Sequence, residues 1–272
     1  MEYGLAREQL EKLANSAPSD IDFMLSFVLG VSRSSLPATK EITLAQFNKA
    51  KKYAKKLGKG VPLSQVIDFV PFCEAKIYVN RKVLSPRAET EELADMAIRD
   101  IIDKFSPEQR ASVKVLDLCC GSGAIAVAVK KQTGAFVTAT DISKAAVKMT
   151  LKNAKANKAV IKVIKSNMLK KVWGQFNYII CNPPYIAYGD NRVEQSVKKY
   201  EPHLALYAGE NGLAYYTYLA ANVGAYMLAG SKLMLEVGDG QAQSVADKFK
   251  KFVNVQILND IFGKQRFVVV TK

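Results

Sequence analysis

The stretch VKVLDLCCGSGAIAVAVKK, from Val113 to Lys131, decides the fold. Its first six residues are mostly apolar, which predicts a strand buried in a sheet that is covered on both faces. Gly121 and Gly123 then permit a tight turn, and the run that follows has the composition of a helix. A buried strand joined to a helix by a glycine-rich turn is typical of the βα units that build a parallel sheet.

The alternation of strand and helix continues to the end of the chain. Further apolar runs predict strands at AFVTAT (135–140), VIKVIK (160–165), FNYIIC (176–181) and KLMLEVG (232–238). Helices are predicted over 143–157, 212–228 and 241–252. The last two runs, VNVQILN (253–259) and QRFVVVT (265–271), predict an antiparallel pair. This pattern indicates an α/β fold with a mostly parallel sheet, in which ligands bind at the carboxyl ends of the strands.

The first part of the chain has a different pattern, with helical segments only. These segments are GLAREQLEKLANS, IDFMLSFVLG and ITLAQFNKAKKYAKKLG, and we expect Ser19 or Asp20 to cap the second. The stretch 63–85 alternates loosely and contains β-branched and aromatic residues, which predicts a hairpin-like linker. We therefore expect a helical domain over 1–62, this linker over 63–85 and an α/β domain over 86–272.

The chain is strongly basic, with 39 basic and 25 acidic residues and a net charge of +14. Between Ile142 and Gly189 there is no acidic residue, and a set of nine lysines occupies positions 144, 148, 152, 155, 158, 162, 165, 170 and 171. This basic face is a candidate surface for an anionic partner such as RNA or the ribosome. A solvated helix face accounts for the same lysines equally well.

The cysteine and histidine content argues against a metal site. The four cysteines have no CxxC spacing, and the single histidine, His203, is interpreted as structural. No apolar run approaches the roughly 20 residues that cross a bilayer, and the N-terminus lacks the pattern of a secretory signal. We expect a cytoplasmic protein with reduced thiols, no metal and no membrane contact.

The turn after the first strand matches a nucleotide-binding pattern. The sequence from Gly121 through Ser122 and Gly123 to Ala126 fits G-x-G-x-x-G/A, and Asp141 ends the next strand 20 residues after Gly121. A carboxylate at that place can accept hydrogen bonds from the hydroxyls of an adenosine ribose. The turn therefore predicts a nucleoside cofactor, and NAD and S-adenosylmethionine fit the pattern equally well.

The fourth strand runs into Asn182-Pro183-Pro184-Tyr185, a corner that two prolines make rigid. If this strand neighbours the first, the corner and the glycine-rich turn share one cleft. The carboxamide oxygen of Asn182 and the carbonyl oxygen of Pro183 are then two fixed acceptors for the hydrogens of a planar NH2 group. Such acceptors stabilise the positive charge that an attacking nitrogen gains, and Tyr185 fixes the angle of the planar group.

Together these motifs resemble those of the release factor glutamine methyltransferases, the HemK/PrmC family. The corner NPPY and the loop DLCCGSGAIA both resemble motifs of amino-methylating enzymes that use S-adenosylmethionine. Further matching segments are PLSQVIDFVPF (62–72), VLSPRAETEEL (83–93), EPHLALYAGENGLAYY (201–216), LEVGDGQ (235–241) and DIFGKQRFVVV (260–270). The resemblance covers about 60–272, and the N-terminal helices resemble the family in general character only.

The resemblance implies a class I S-adenosylmethionine-dependent methyltransferase, Rossmann-like, with a mostly parallel seven-stranded sheet and a small N-terminal helical domain that holds the substrate protein. It implies transfer of a methyl group to the side-chain amide nitrogen of the glutamine in the Gly-Gly-Gln motif of peptide chain release factors. A monomer is expected. The implied catalytic and substrate-binding residues are Asn182, Pro183, Pro184 and Tyr185. The implied cofactor-binding residues are Cys119, Cys120, Gly121, Ser122, Gly123, Asp141, Asn167, Met168 and Asn182.

The chain departs from the family pattern in two places, at Cys119 and at Asn167-Met168. Cys119 stands where the family usually has glycine, so we expect a tighter loop entrance. Asn167-Met168 stands where the family often has Asp-Trp. The Asn167 side chain can still bond the adenine amine, and Met168 can cover the ring.

Other interpretations of the same residues stay open. The main alternative among enzymes is an amine methyltransferase acting on adenine or guanine of RNA or DNA. An NAD-binding protein without transferase activity, or an inactive binding module that uses the basic face, belongs to a different class. Arg87, Glu89 and Thr90 are candidates for the donor pocket, but Thr90 before Glu-Glu-Leu is better interpreted as a helix cap.

Overall fold

The computed structural model describes residues 1–272. Its helices are α1 (Tyr3–Ala14), α2 (Pro18–Leu29), α3 (Leu44–Leu57), α4 (Leu63–Ile67), α5 (Ala88–Lys104), α6 (Pro107–Arg110), α7 (Ala124–Thr133), α8 (Lys144–Ala156), α9 (Gln195–Tyr200), α10 (Ala214–Asn222) and α11 (Ala242–Lys248). Its strands are β1 (Phe69–Phe72), β2 (Ala75–Tyr78), β3 (Lys114–Leu118), β4 (Phe136–Asp141), β5 (Lys162–Lys165), β6 (Phe176–Cys181), β7 (Ile186–Ala187), β8 (Tyr207–Ala208), β9 (Met227–Glu236), β10 (Asn254–Asn259) and β11 (Gln265–Thr271). None of the helices combines the length and the apolar composition that crossing a membrane requires.

The chain forms two compact units whose bounds differ from the predicted segments. The first consists of Met1–Phe69 and Glu194–Tyr200, and the second of Val70–Val193 and Glu201–Lys272. The start of the predicted linker is helical: it forms α4 (Leu63–Ile67), which belongs to the first unit. Val66 and Ile67 of α4 are adjacent rather than alternating, and both are buried in the core of that unit. The hairpin itself is formed by β1 and β2.

The first unit packs α1, α2 and α3 around one apolar core. Their buried residues include Leu10, Leu25 and Phe47. Helix α2 begins at Pro18, with Ala17 at its N-cap, so the prediction of Ser19 or Asp20 as cap is wrong. Proline at the first helical position needs no backbone partner and already has a helical φ, so the helix starts earlier than the polar residues indicate.

The second unit contains a seven-stranded sheet in the order β10-β11-β9-β6-β3-β4-β5. The five strands from β9 to β5 pair in parallel, whereas β11 is antiparallel to β9 and to β10. The predicted mostly parallel sheet and its terminal antiparallel pair are therefore confirmed. Strand order reverses between β3 and β6, which is the point where sheets of this type bind ligands.

One helix–strand boundary differs from the prediction. The predicted helix 212–228 ends at Asn222, a short 3-10 segment follows over Val223–Tyr226, and β9 begins at Met227. Glycine at position 224 disfavours continuation of the helix. Met227 also pairs with Phe176 of β6, so pairing in the sheet extends the strand toward its N-terminus.

The packing of α7 against α8 depends on Gly123. This residue has φ +79°, and a Cβ built there would lie 2.6 Å from Thr150 Cγ2. Gly134, at the other end of α7, has φ +76° but no atom within 4 Å of its Cβ position. The two glycines therefore share the left-handed backbone and differ in the space available for a side chain.

We predict that Gly123→Ala destabilises the fold more than Gly134→Ala. Both substitutions place a side chain on a left-handed backbone, which costs about 1–2 kcal/mol. Only Gly123→Ala also crowds Thr150, which adds about 1–3 kcal/mol. Urea unfolding of the two variants measures the difference, and equal losses of unfolding free energy would contradict the close approach of α8.

Candidate functional site

A cleft opens at the carboxyl ends of the central parallel strands of the second unit. It is open to solvent, and its empty space, solvent included, is about 720 Å³. The residues that line it follow the ends of β3, β4, β5 and β6, or belong to α8, α10 and two further segments near 83 and 203: Lys82, Val83, Leu84, Cys119, Gly121, Asp141, Ile142, Ser143, Ala146, Ser166, Asn167, Met168, Asn182, Pro184, Pro202, Leu204, Ala205 and Tyr215.

The pairing of three strands brings the predicted motifs together. Leu118 at the end of β3 pairs with Cys181 at the end of β6 and with Thr140 near the end of β4. The residues that follow these positions therefore start from one edge of the sheet. Of the predicted site residues, the cleft is lined by Cys119, Gly121, Asp141, Asn167, Met168, Asn182 and Pro184.

The other predicted residues of the glycine-rich turn lie behind the cleft wall. Cys120 and Ser122 are buried, and the Cys120 thiol lies 3.3 Å from the hydroxyl of Thr150. The Ser122 carbonyl accepts a hydrogen bond from Asn153 at 2.9 Å. Gly123 makes room for Thr150. In this geometry the three residues hold the turn against α8.

Asp141 organises the turn that faces it. Its carboxylate accepts a hydrogen bond from the Gly121 amide at 2.9 Å and another from the Ser143 amide at 2.8 Å. Burial raises the pKa of Asp141, and these two hydrogen bonds oppose the rise. Asp141 lines the cleft, and an ionised carboxylate can accept about four hydrogen bonds, so it has capacity left for the hydroxyls of a ribose.

Asp117, one residue before the end of β3, caps the start of α7. The N-cap residue of that helix is Gly123, which has no side chain to do so. The Asp117 side chain is 1% exposed and accepts a hydrogen bond from the Ala126 amide at 3.0 Å, in the first turn of α7. The other carboxylate oxygen has no hydrogen-bond partner. Burial, with a contribution from the charge of Asp141, raises the pKa of Asp117 to about 8. Asp117 therefore fixes the start of α7 next to the cleft.

The two places where the chain departs from the family pattern lie next to each other. Cys119 has φ +60° and Met168 has φ +47°, a left-handed backbone that costs about 1–3 kcal/mol in a residue other than glycine. The Cys119 Sγ atom lies 3.6 Å from Met168 Sδ. Both side chains line the cleft, and Asn167 beside them is exposed.

The NPPY corner turns two of its four residues toward the cleft. Asn182 and Pro184 line it, whereas Pro183 is buried and Tyr185 is half-buried. The Tyr185 hydroxyl donates a hydrogen bond to Glu236 Oε1 at 3.3 Å. The assignment of catalytic roles to these four residues stays a prediction.

Two glycines and one glutamine clamp the backbone of this corner. A Cβ on Gly212, whose φ is +90°, would collide with the carbonyl oxygen of Tyr185. The Tyr185 carbonyl accepts a hydrogen bond from Gln241 Nε2 at 2.9 Å, and Gln241 Oε1 in turn accepts from the Gly238 amide at 3.0 Å. A Cβ on Gly238 would lie 3.0 Å from the Tyr185 ring.

A buried glutamate joins two further segments that line the cleft, one near residue 83 and one near residue 202. Glu201, 4% exposed, accepts a hydrogen bond from the Ser85 amide at 3.2 Å and lies 3.5 Å from the guanidinium of Arg87. Burial raises the pKa of Glu201, and the charge of Arg87 opposes the rise. Val83 and Leu84 precede this junction on one loop and Pro202 follows it on the other, and all three line the cleft.

The interpretation of Thr90 as a helix cap is wrong. Helix α5 begins at Ala88 with Arg87 at its N-cap, so Thr90 is the third helical residue. Its hydroxyl is buried and donates a hydrogen bond to Glu236 Oε2 at 2.7 Å. Sequence reasoning also missed Glu236 itself. A carboxylate at the end of a parallel strand is the signal that points to such a residue.

The fold and the cleft define a class I S-adenosylmethionine-dependent methyltransferase. The Methyltransferase small domain family matches residues 91–203. The release factor glutamine methyltransferase of Lactococcus lactis subsp. lactis (strain IL1403) is 36% identical over 236 residues, which are 85% of each chain. The release factor glutamine methyltransferase of Deinococcus radiodurans is 30% identical and covers 92% of this chain and 89% of its own. The chain belongs to the release factor glutamine methyltransferase family.

Solved structures show the same fold. The hMettl16 catalytic domain in complex with a MAT2A 3′UTR hairpin has a TM-score of 0.58 at 12% identity, covering 93% of this chain and 91% of its own. The T. thermophilus 16S rRNA methyltransferase RsmC, in complex with AdoMet and guanosine, has a TM-score of 0.52 at 16% identity, covering 75% of this chain and 49% of its own. At these identities the likeness shows the fold alone.

S-adenosylmethionine, one of the two cofactors that the turn predicted, is the cofactor of this class of enzyme. The chain fits it, because the half-buried carboxylate of Asp141, the backbone of Gly121 and the apolar side chain of Met168 all line one cleft. The residues proposed to hold it are Cys119, Gly121, Asp141, Asn167 and Met168. When bound, the cofactor supplies an electrophilic methyl group on a sulfonium centre.

We predict that Asp141→Ala weakens S-adenosylmethionine binding by about 1.5–3 kcal/mol, the range for a hydrogen bond to a charged group. This corresponds to a roughly 10- to 150-fold rise in Kd. The substitution removes the anchor of the Gly121 amide and, in our proposal, the acceptor for the ribose hydroxyls. Calorimetry measures the change.

Asp103→Ala, at an exposed position of α5, is the control and is expected to bind normally. Unchanged affinity in Asp141→Ala would contradict the assignment. Binding of NADH without binding of S-adenosylmethionine would contradict the choice of cofactor.

Proposed function

We propose that this protein transfers a methyl group from S-adenosylmethionine to the side-chain amide nitrogen of the glutamine in the Gly-Gly-Gln motif of peptide chain release factors. The observation that carries the proposal is the shared cleft, which is lined by Asn182 and Pro184 as well as by Gly121 and Asp141. An amide held by the NPPY corner therefore lies beside the methyl donor. Relatives at 30–36% identity over most of the chain are named for this activity.

The corner suits a nitrogen that is a poor nucleophile. The lone pair of an amide nitrogen is delocalised into the carbonyl group, and acceptors for both N–H groups favour the geometry in which that lone pair is released. Asn182 Oδ1 and the Pro183 carbonyl are the acceptors in this proposal, and they stabilise the positive charge that develops on nitrogen. The proton leaves after transfer, so the mechanism requires no histidine base.

Tyr185 has the supporting role of orienting the acceptor. Its hydroxyl is bonded to Glu236, and its backbone carbonyl is bonded to Gln241, so the ring is held from both ends. A ring fixed in this way restricts the planar amide to one orientation, which is the condition for a reactive geometry.

We propose that the helical first unit holds the release factor. Its core is separate from the sheet, and it supplies none of the residues that line the cleft. The reaction needs a single chain in this proposal, because one copy supplies the whole cleft. A cytoplasmic site of action accords with four cysteines that are all unpaired.

We predict that Asn182→Ala lowers kcat for release factor methylation by about 10²–10³-fold, the usual loss on removing a positioned polar group. Cofactor affinity should stay close to that of the wild type, because Asn182 addresses mainly the acceptor. Methyl transfer from labelled cofactor to purified release factor, with mass spectrometric mapping of the product, measures the rate and the site.

Asn222→Ala is the control, since its side chain bonds only the Tyr218 carbonyl within an exposed turn of α10. A release factor with Gln→Glu in the motif should accept no methyl group, because it lacks the NH2. Near wild-type turnover by Asn182→Ala would contradict the role of the corner. Labelling of nuclease-sensitive material instead of release factor would favour a nucleic-acid methyltransferase.

The basic face favours a second, non-catalytic partner. All nine of its lysines are exposed, and none forms an ion pair with a carboxylate. Lys148 and Lys155 are seven residues apart on α8 and therefore lie on one side of that helix. Unpaired lysines in this density attract the phosphate groups of RNA, so we propose that the basic face contacts RNA or the ribosome while the cleft acts on protein.

We predict that the double substitution Lys148→Glu/Lys155→Glu weakens RNA binding and lowers its salt dependence, by about one unit of log–log slope for each lost phosphate contact. Methylation of free release factor should be unchanged. Filter binding to ribosomal RNA over a range of salt concentrations measures the effect. The double substitution Lys250→Glu/Lys251→Glu makes the same charge change near α11, and equal loss in both variants would contradict a specific basic face.

A further inference from the structure

The side-chain amide of Asn182 can present either of two different groups to the cleft. Its oxygen accepts hydrogen bonds, whereas its NH2 group donates them. An acceptor substrate with an NH2 group needs the oxygen. If the amide were rotated by half a turn, two NH2 groups would face each other. Some other part of the protein therefore has to set the direction of this side chain.

The structure contains a chain of hydrogen bonds that does so. Asn182 Nδ2 donates to Thr90 Oγ1 at 2.9 Å, and the Thr90 hydroxyl donates to Glu236 Oε2 at 2.7 Å. An ionised carboxylate has acceptors only. The hydroxyl proton of Thr90 is thus committed to Glu236, so Thr90 Oγ1 can only accept from Asn182. Asn182 Oδ1 is left to face the cleft.

Burial ensures that this chain of hydrogen bonds allows only one direction of the Asn182 amide. Thr90 is 6% exposed and Glu236 is 1% exposed, so water does not offer the alternative partners that would allow the amide to rotate. An unsatisfied buried donor or acceptor costs about 1–3 kcal/mol. The rotated amide would place its oxygen against Thr90, which has no proton left to donate, and would leave its NH2 group without this partner.

The same carboxylate reaches the second functional side chain of the corner. Glu236 Oε1 accepts the Tyr185 hydroxyl at 3.3 Å, and the Glu236 backbone carbonyl accepts from the Tyr216 hydroxyl at 2.8 Å. Burial and the charge of Glu89 raise the pKa of Glu236 to about 7, while the Thr90 hydrogen bond, Arg266 and Tyr185 oppose the rise.

We infer that Thr90 and Glu236 are positioning residues, which fix the Asn182 carboxamide with its oxygen toward the acceptor amide and hold Tyr185 beside it. This inference rests on the proposed function for the identity of the acceptor. Neither residue lines the cleft, so both act through Asn182 and Tyr185 and not on the substrate itself.

Thr90→Val tests this arrangement, because valine has the shape of threonine without the hydroxyl. At about pH 8.5, where Glu236 is ionised, we expect kcat for release factor to fall by about 10- to 100-fold, the loss typical of a misplaced group. KM and the calorimetric Kd for S-adenosylmethionine should stay within about twofold of wild type, because only the reactive geometry is disturbed.

Thr90→Ser restores the hydroxyl and should recover kcat to within about threefold of wild type, since the hydrogen-bond chain is re-formed. Thr217→Val is the matched control. It removes another threonine–glutamate hydrogen bond, from Thr217 to Glu210 at 2.7 Å, away from Asn182, and should leave kcat unchanged. Glu236→Gln keeps the volume of the side chain but can donate as well as accept, and should also lower kcat. It serves as the test if Thr90→Val does not fold.

A folded Thr90→Val with wild-type kcat would overturn the inference, and so would a Thr90→Ser as impaired as Thr90→Val. Failure of the proposed function is a separate result, because it shows as a wild-type enzyme that does not methylate release factor. In that case neutron crystal structures of wild type and Thr90→Val, which distinguish the amide oxygen from the NH2 group, decide the inference. An Asn182 amide with the same direction in both would contradict it, and a rotated or disordered amide in the variant alone would support it.

Discussion

The parallel pairing of Leu118 with Cys181, at the ends of β3 and β6, is the constraint on which the rest of the site depends. One strand continues into the glycine-rich turn, and the other continues into the NPPY corner. Because parallel strands end at the same edge, two motifs about 60 residues apart in sequence open onto one cleft. Shifting this pairing by one residue would exchange the faces of β6 and remove Asn182 from the cleft.

Three of the five segments that resemble the family outside the turn and the corner meet at this edge. The segment 83–93 supplies Thr90, 201–216 supplies Gly212 and Tyr216, and LEVGDGQ supplies Glu236 and Gln241. Each touches Asn182, Tyr185 or a residue that does. Rigid support from several elements gives a corner that does not have to reorganise during the reaction, which is the property that electrostatic catalysis requires.

Local patterns were sufficient to predict the elements of the sheet and the place of the cleft. The strand ending in Cys181 and the acid that ends β4 follow from periodicity and spacing. Thr90 was misread, because its position before acidic residues has the pattern of a cap and its actual partner, Glu236, lies 146 residues away. The start of β9 was misplaced for a related reason, since pairing with β6 and not local composition sets it. Contacts of this range leave no periodic signal in the sequence.

The proposed function requires that Asn182 present its amide oxygen to an NH2 group beside the methyl donor. A crystal structure of the protein with a Gly-Gly-Gln peptide and the demethylated cofactor tests it most directly. We predict that the glutamine Nε2 atom lies about 2.9 Å from both Asn182 Oδ1 and the Pro183 carbonyl oxygen, the usual distance of an N–H···O hydrogen bond. A glutamine that contacts the NPPY corner through its carbonyl oxygen, bonded to Asn182 Nδ2, would contradict it.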